Sequence, residues 1–312
     1  MTGIGAVPER WSRGLDVEAP ILVLASGQRC GSTLIQRLLN SHQDVLLWGE
    51  HGGLLGSLFS LKERLDGWDD TLADQAREEF AARAYDGWIA NLLPGRDAIE
   101  GATRSYLLEL FARPVLQLGR SRWGFKEVRY GVSMARAMRE LFPRTCVVHV
   151  TRDPREVLRS LDWWERCGKI TRQGTGDAIR NWCKVNEELL PLRSASWVLS
   201  VRYEDVVADP AAFTNRLSKF VGLQTDDFDT SVFDHRIHSD GPEGRMSRRL
   251  TRFTDLDPAL RRLIADPELL EIACAYGYRL DDGGVREVPS SRFRVMPRRV
   301  GRLAKGRIGR VA

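Results

Sequence analysis

Long apolar runs are missing from this chain. Stretches such as Ile21 to Ala25 fall far short of the about 20 residues a helix needs to cross a bilayer. Met1 to Pro20 is polar and lacks the apolar centre of a secretory signal. The sequence therefore reads as a soluble, cytoplasmic protein. Cysteine is sparse: five residues (30, 146, 167, 183 and 274), odd in number and without a CxxC pair. That excludes a disulfide framework and a cysteine zinc site. Lysine is scarce as well, six of the 47 basic residues, which fits a GC-rich, bacterial genome. A net positive charge is absent from the body of the chain. Residues 286–312 hold eight Arg and Lys305 against Glu287, a net +8, so the total of +5 leaves −3 for the rest. A nucleic-acid-binding body is thereby excluded, and the basicity belongs to a tail.

What is present is ordinary for a globular protein: 312 residues, 43% apolar and 29% charged. The length admits two domains, or one α/β domain with insertions. Apolar runs alternate with helical patterns. Strands are expected at Ile21–Ala25, Val45–Trp48, Trp123–Val128, Thr145–Thr151 and Trp197–Val201. Helices are expected at Thr33–Asn40, Met134–Phe142, from Pro154, at Asp177–Leu190, at Pro210–Phe220, and as two short pieces up to Tyr276. Residues 51–119 read as mostly helical, with breaks at Gly67, Pro94-Gly95 and Gly101. Strands alternating with helices predict a P-loop-type three-layer α/β/α fold, with a central parallel sheet and a helical insertion. The expected division is an N-terminal segment 1–19, a domain 20–281 containing the 51–119 insertion, and a basic tail 282–312.

Two places carry chemistry. The first is the turn Gly27-Gln-Arg-Cys-Gly-Ser-Thr33 between the first strand and the first helix. Such a turn offers backbone N–H groups to an anion at a helix N-terminus. It lacks the lysine of a GxxxxGK[ST] loop and is one residue shorter between its glycines, so it predicts an anion other than magnesium-ATP. The second is Thr151-Arg-Asp-Pro-Arg155 with Ser160 two helical turns on. Arg152 stands where open α/β sheets bind ligands, and an Arg fork with a hydroxyl can share one phosphate. An acid in place of Arg152 would favour Mg²⁺; the Arg favours an anion.

Together these motifs resemble the sulfotransferases that use 3′-phosphoadenosine 5′-phosphosulfate (PAPS), over roughly residues 20–280. Gln28 to Leu34 is similar to that family's 5′-phosphosulfate loop, and Arg152 with Ser160 matches its 3′-phosphate pair. Val201 to Pro210, with Tyr203, resembles its nucleotide-contacting segment, and Trp123 to Arg129 the segment bearing a catalytic lysine. Asn40 to Glu50 resembles the tyrosylprotein and bacterial branch. One departure is Val128, where the family often has Pro before the residue matching Arg129.

The resemblance implies transfer of a sulfonate from PAPS, without a metal, to a hydroxyl or amine of a small-molecule or carbohydrate acceptor. It implies roles for Arg29, Cys30, Gly31, Ser32, Thr33 and Leu34 around the 5′-phosphosulfate, for Arg29 and Lys126 in offsetting charge, and for Glu50 as base. Arg152 and Ser160 would hold the 3′-phosphate, and Tyr203 would contact the nucleotide. Glu50 could instead serve a helix start, and His51 could be the base or a packing residue. A basic loop holds Arg236, Arg245, Arg248, Arg249 and Arg252; one of Arg245, Arg248 or Arg249 would reach the nucleotide, and a solvated loop is the alternative. Trp68, Tyr85, Trp88, Tyr106 and Phe111 in the insertion would line an acceptor pocket or form core, and Trp163-Trp164 would reach the mouth. The tail, with Val300, Leu303, Ile308 and Val311 among its cations, would lie on an anionic membrane or stay solvated. Rival readings are a P-loop kinase and a non-catalytic anion or membrane-binding protein. Oligomeric state stays open.

Overall fold

The computed structural model describes residues 16–60, 70–83, 90–234, 254 and 256–280. Five parallel strands form one sheet: β1 (Ile21–Ala25), β2 (Val45–Trp48), β3 (Arg122–Glu127), β4 (Cys146–Thr151) and β5 (Val198–Arg202). Their spatial order is β2-β3-β1-β4-β5. The first strand thus lies at the centre, with β3 and β4 on either side of it. Val23 is registered with Lys126, and Ala25 with Val150.

All five residues of β1 are buried, as a strand covered on both faces requires. Its side chains alternate between two cores. Leu22 and Leu24 pack with Trp123, Phe125, Met134, Met138 and Phe142. Ile21 and Val23 face the other way, onto Ile35, Leu38, Leu39 and Leu217. The three-layer arrangement follows from that alternation.

The helices are α1 (Ser32–Ser41), α2 (Asp70–Ala81), α3 (Arg96–Leu107), α4 (Arg113–Gln117), α5 (Val132–Leu141), α6 (Pro154–Arg166), α7 (Arg172–Leu189), α8 (Tyr203–Ala208), α9 (Pro210–Val221), α10 (Pro258–Ile264) and α11 (Pro267–Ala275). Several start as the sequence dictates, with Pro in the first turn and an Asp cap: Asp153, Asp209, Asp257 and Asp266 each accept a backbone N–H two or three residues on. Gly222 closes α9 in the left-handed conformation.

Three expectations need correction. Gly101 does not break the helical insertion; it sits inside α3, where its neighbours' packing outweighs a propensity cost of about 1 kcal/mol. Helix α7 begins at Arg172, five residues before Asp177. The Thr171 side chain caps it by accepting from the Gly174 N–H, so Gly174 and Gly176 are carried within it. Helix α8 directly follows β5 and was not foreseen. The strand ends lie within one residue of expectation.

Between α3 and α4 the chain makes a π-helical turn, Leu108–Ala112. Such turns free a carbonyl from the helical ladder, and the Phe111 carbonyl accepts from the Trp48 indole N–H at 2.9 Å. This ties the insertion to the end of β2. Phe111 is core, whereas Tyr106 is exposed. Trp68, Tyr85, Trp88, the arginines at 236, 245, 248, 249 and 252, and the 282–312 tail lie outside the described residues. Among the described residues no helix is long and apolar enough to cross a membrane.

Candidate active site

The turn after β1 has a backbone geometry that can receive an anion. Gly27, Arg29 and Gly31 all have positive φ (126°, 67° and 89°), which folds the backbone into a concave nest. Gly31 precedes α1, and no side chain caps the first turn of that helix. Its leading N–H groups and dipole therefore face outward for a ligand. Gly31 is also a contact point: a Cβ there would lie 2.1 Å from Cδ2 of Tyr203, so the ring of Tyr203 supports the turn from below. Cys30 is completely buried, and burial pushes its thiol up to about 12. It is a packing residue, not a nucleophile. Ser32 and Leu34 are buried in the first turn of α1.

The root of the turn is held by a buried polar network. The Ser26 hydroxyl donates to Asn186 Oδ1 at 2.7 Å and lies 3.0 Å from His149 Nε2. The Ser200 hydroxyl meets His149 Nδ1 at 3.2 Å. With Ser26 donating to Asn186, the imidazole is satisfied as the neutral Nε2–H tautomer. Burial, and secondarily Arg193, holds its pKa down at about 3.

Beside the turn, after the end of β4, Arg152 and Ser160 each bond to Arg29. Arg152 Nη1 donates to the Arg29 carbonyl at 3.0 Å, and its guanidinium lies 4.7 Å over the Tyr203 ring. Its Nε is buried with no partner. Arg29 joins this group: its Nε donates to Ser160 Oγ at 2.7 Å, and its guanidinium stacks on Trp164 at 4.4 Å. Glu204 underpins the corner. It accepts from the Asp153 N–H and the Tyr278 hydroxyl, each at 3.0 Å, and burial raises its pKa.

On the opposite side, at the end of β3, Lys126 and Glu50 meet. Lys126 Nζ donates to Glu50 Oε1 at 2.5 Å, and Arg129 Nη1 donates to Glu50 Oε2 at 3.1 Å. Lys126 is buried, with 6% of its side chain exposed, whereas Glu50 is 34% exposed. Burial alone would raise the Glu50 carboxyl, but the hydrogen bonds and charges of Lys126 and Arg129 outweigh it and hold the pKa below the ordinary glutamate value. Glu50 is therefore ionised at neutral pH. His51 turns away into a ring cage of Phe111, Phe125 and Tyr130. Burial lowers its pKa, with Glu127 opposing. Arg152 follows β4 and Lys126 lies near the end of β3, the two strands that flank β1.

The arrangement sets the N-terminus of α1 and a group of cations beside a carboxylate. A profile of the Sulfotransferase family matches residues 20–227. The chain belongs to the sulfotransferase family. No curated protein sequence matches it significantly. Among solved structures, this sulfotransferase is similar to the sulfotransferase domain from the Synechococcus PCC 7002 olefin synthase, with 19% identity, 84% of this chain and 95% of that chain covered, and a TM-score of 0.47. It is similar to a sulfotransferase from Alicyclobacillus acidocaldarius (15%; 82% and 93%; 0.46) and to mouse sulfotransferase SULT7A1 complexed with PAP (11%; 82% and 84%; 0.45).

Sequence reasoning about this sulfotransferase did not foresee Glu127, Glu204, Tyr278 or the Ser26–His149–Asn186 network. The available signal was polarity in the wrong place: an acid and a histidine inside apolar strands, which stay buried only when partnered.

Proposed function

We propose that this sulfotransferase draws its sulfonate from PAPS and passes it to a hydroxyl or amine of a small-molecule or carbohydrate acceptor, with Glu50 as the base. The observation that carries the reading is the uncapped N-terminus of α1 standing between Arg152 with Ser160 on one strand end and Lys126 with Glu50 on the other.

The residues present suit such a donor. The backbone N–H groups of residues 30–34 would take the 5′-phosphosulfate. Arg152, whose buried Nε lacks a partner, would hold the 3′-phosphate with Ser160. Tyr203, already stacked under Arg152, would face the nucleotide, with Arg29 on the same wall. When bound, PAPS supplies an activated sulfonate on a phosphate leaving group. Lys126 has three N–H donors and spends one on Glu50, leaving two for negative charge at the loop. Glu50, ionised beside Lys126, would take the proton from the acceptor. Catalysis by these groups is positioning and charge stabilisation. Arg245 is the candidate for closing over the nucleotide, and the basic tail for peripheral membrane contact.

The test is a thermal-shift comparison of adenosine 3′,5′-bisphosphate (PAP) with ATP and Mg²⁺, on wild type and Arg152→Ala. A ligand at 100 times its dissociation constant adds about 2.7 kcal/mol. The bisphosphate is expected to raise the melting temperature of wild type and not of Arg152→Ala. A shift with ATP and Mg²⁺ alone would overturn the proposal in favour of a kinase.

A further inference from the structure

Arg129 and Glu127 are not used in the reading above, yet they are the most constrained charges near Glu50. Glu127 is fully buried at the end of β3. A carboxylate is out of water there only if its lone pairs are filled. They are: Oε1 accepts from the Val128 N–H at 3.0 Å and from Arg129 Nη1 at 2.7 Å, and Oε2 accepts from the Gly53 N–H at 3.2 Å. The same Arg129 Nη1 also donates to Glu50 Oε2. The bond to Gly53 matters because Gly52 and Gly53 belong to the turn that directly follows Glu50, with φ of 67° and 84°. One buried anion therefore holds both the turn behind Glu50 and the cation in front of it.

We infer that Arg129, anchored on buried Glu127, is a positioning residue that fixes Glu50 for proton transfer. The inference rests on the assignment of Glu50 as base. The groups facing Glu50 are Lys126 from β3, Arg129 from the segment after it, and Glu127 behind Arg129, with His51 next along the chain and Tyr130 beside His51. Glu127 and Arg129 act on Glu50 with opposite signs. Through charge alone, neutralising Glu127 would lower the Glu50 pKa. As an anchor, its loss would free Arg129, and the Glu50 pKa would rise.

That opposition makes the test decisive without an identified acceptor. The Glu50 carboxyl is titrated by carbon NMR in protein labelled at the glutamate side-chain carboxyl carbon, with its signal assigned by its absence in Glu50→Gln. Arg129→Met is expected to raise the Glu50 pKa by about one unit, and Arg129→Lys to restore more than half of that. Glu127→Met is expected to raise it too, and Glu127→Met/Arg129→Met to add nothing beyond Arg129→Met alone. A fall in Glu127→Met, or no change in Arg129→Met, would overturn the inference. Arg129 is 42% exposed, so its variants keep the test alive if Glu127→Met does not fold. Stabilisation by PAP, measured on the same samples, is expected to match wild type in every Arg129 variant; its loss would make Arg129 a donor ligand and overturn the positioning role. A wild type that does not bind PAP sinks the donor reading, while the titrations still decide whether the clamp exists.

Discussion

Replacing Gly31 with alanine strikes the anion turn in two separable ways. The backbone there has φ of +89°, a region that costs an L-residue roughly 1–2 kcal/mol. The added Cβ would lie 2.1, 2.6 and 3.1 Å from Cδ2, Cε2 and Cγ of Tyr203, against an ordinary carbon contact of about 3.5–4.0 Å. The ring must move, and its displacement adds about 1–3 kcal/mol of overpacking. The sum is about 2–5 kcal/mol, a melting-temperature drop of order 5–10 °C for a chain of this size. The assay is thermal unfolding of wild type, Gly31→Ala, Tyr203→Ala and the double variant. Truncating Tyr203 removes the overlap but not the strained φ. Gly31→Ala should therefore cost only about 1–2 kcal/mol in the Tyr203→Ala background. Equal cost in both backgrounds would refute the contact, and a cost below about 0.5 kcal/mol in wild type, the size of an ordinary surface change, would refute the account of the turn altogether.

Cys30 should resist iodoacetamide in the native protein at neutral pH, because burial holds its thiol up at about 12, while exposed Cys167 and Cys274 are modified; rapid labelling of Cys30 under native conditions would contradict its packing role. His149, held neutral with a pKa of about 3 against an ordinary 6.5, binds its proton in the unfolded chain first. Its contribution to stability is complete above about pH 6.5 and is lost as pH falls from there toward 3, by roughly a kcal/mol per pH unit. Denaturant unfolding between pH 4 and 7 should show a shallower acid loss in His149→Gln than in wild type, and identical slopes would contradict the buried neutral imidazole.

The strands were legible because their residues say the same thing at every level. Ile21 to Ala25, and Val147, Val148 and Val150 in β4, are apolar, partly β-branched and bounded by turns. The anion turn was legible because Gly27 and Gly31 bracket it at the start of a helix. The sheet order was not. Which strands flank β1 depends on crossovers whose packing is non-local, and that order decides that Lys126 and Arg152 end up on either side of the turn. Helix α7 was shortened because Gly174 and Gly176 argue against helix locally, whereas the Thr171 cap and the packing of Ile179 and Trp182 prevail. Glu127 was hidden for a related reason. Its meaning lies in Gly53, which is 74 residues away in sequence.

The sheet order has a consequence for how such a protein can diverge. The chain leaves the sheet from β2, one of its two edge strands, and returns at β3 after residues 49–121. That excursion hangs from a rim, while β1, β4 and β5, which carry the anion turn, Arg152 and Tyr203, are wound together elsewhere. Residues can be added to or removed from the excursion without reopening the central pairing. Descendants of this scaffold can exchange that excursion, provided that Glu50 keeps Lys126 and Arg129 as partners and Gly53 keeps Glu127 at the seam.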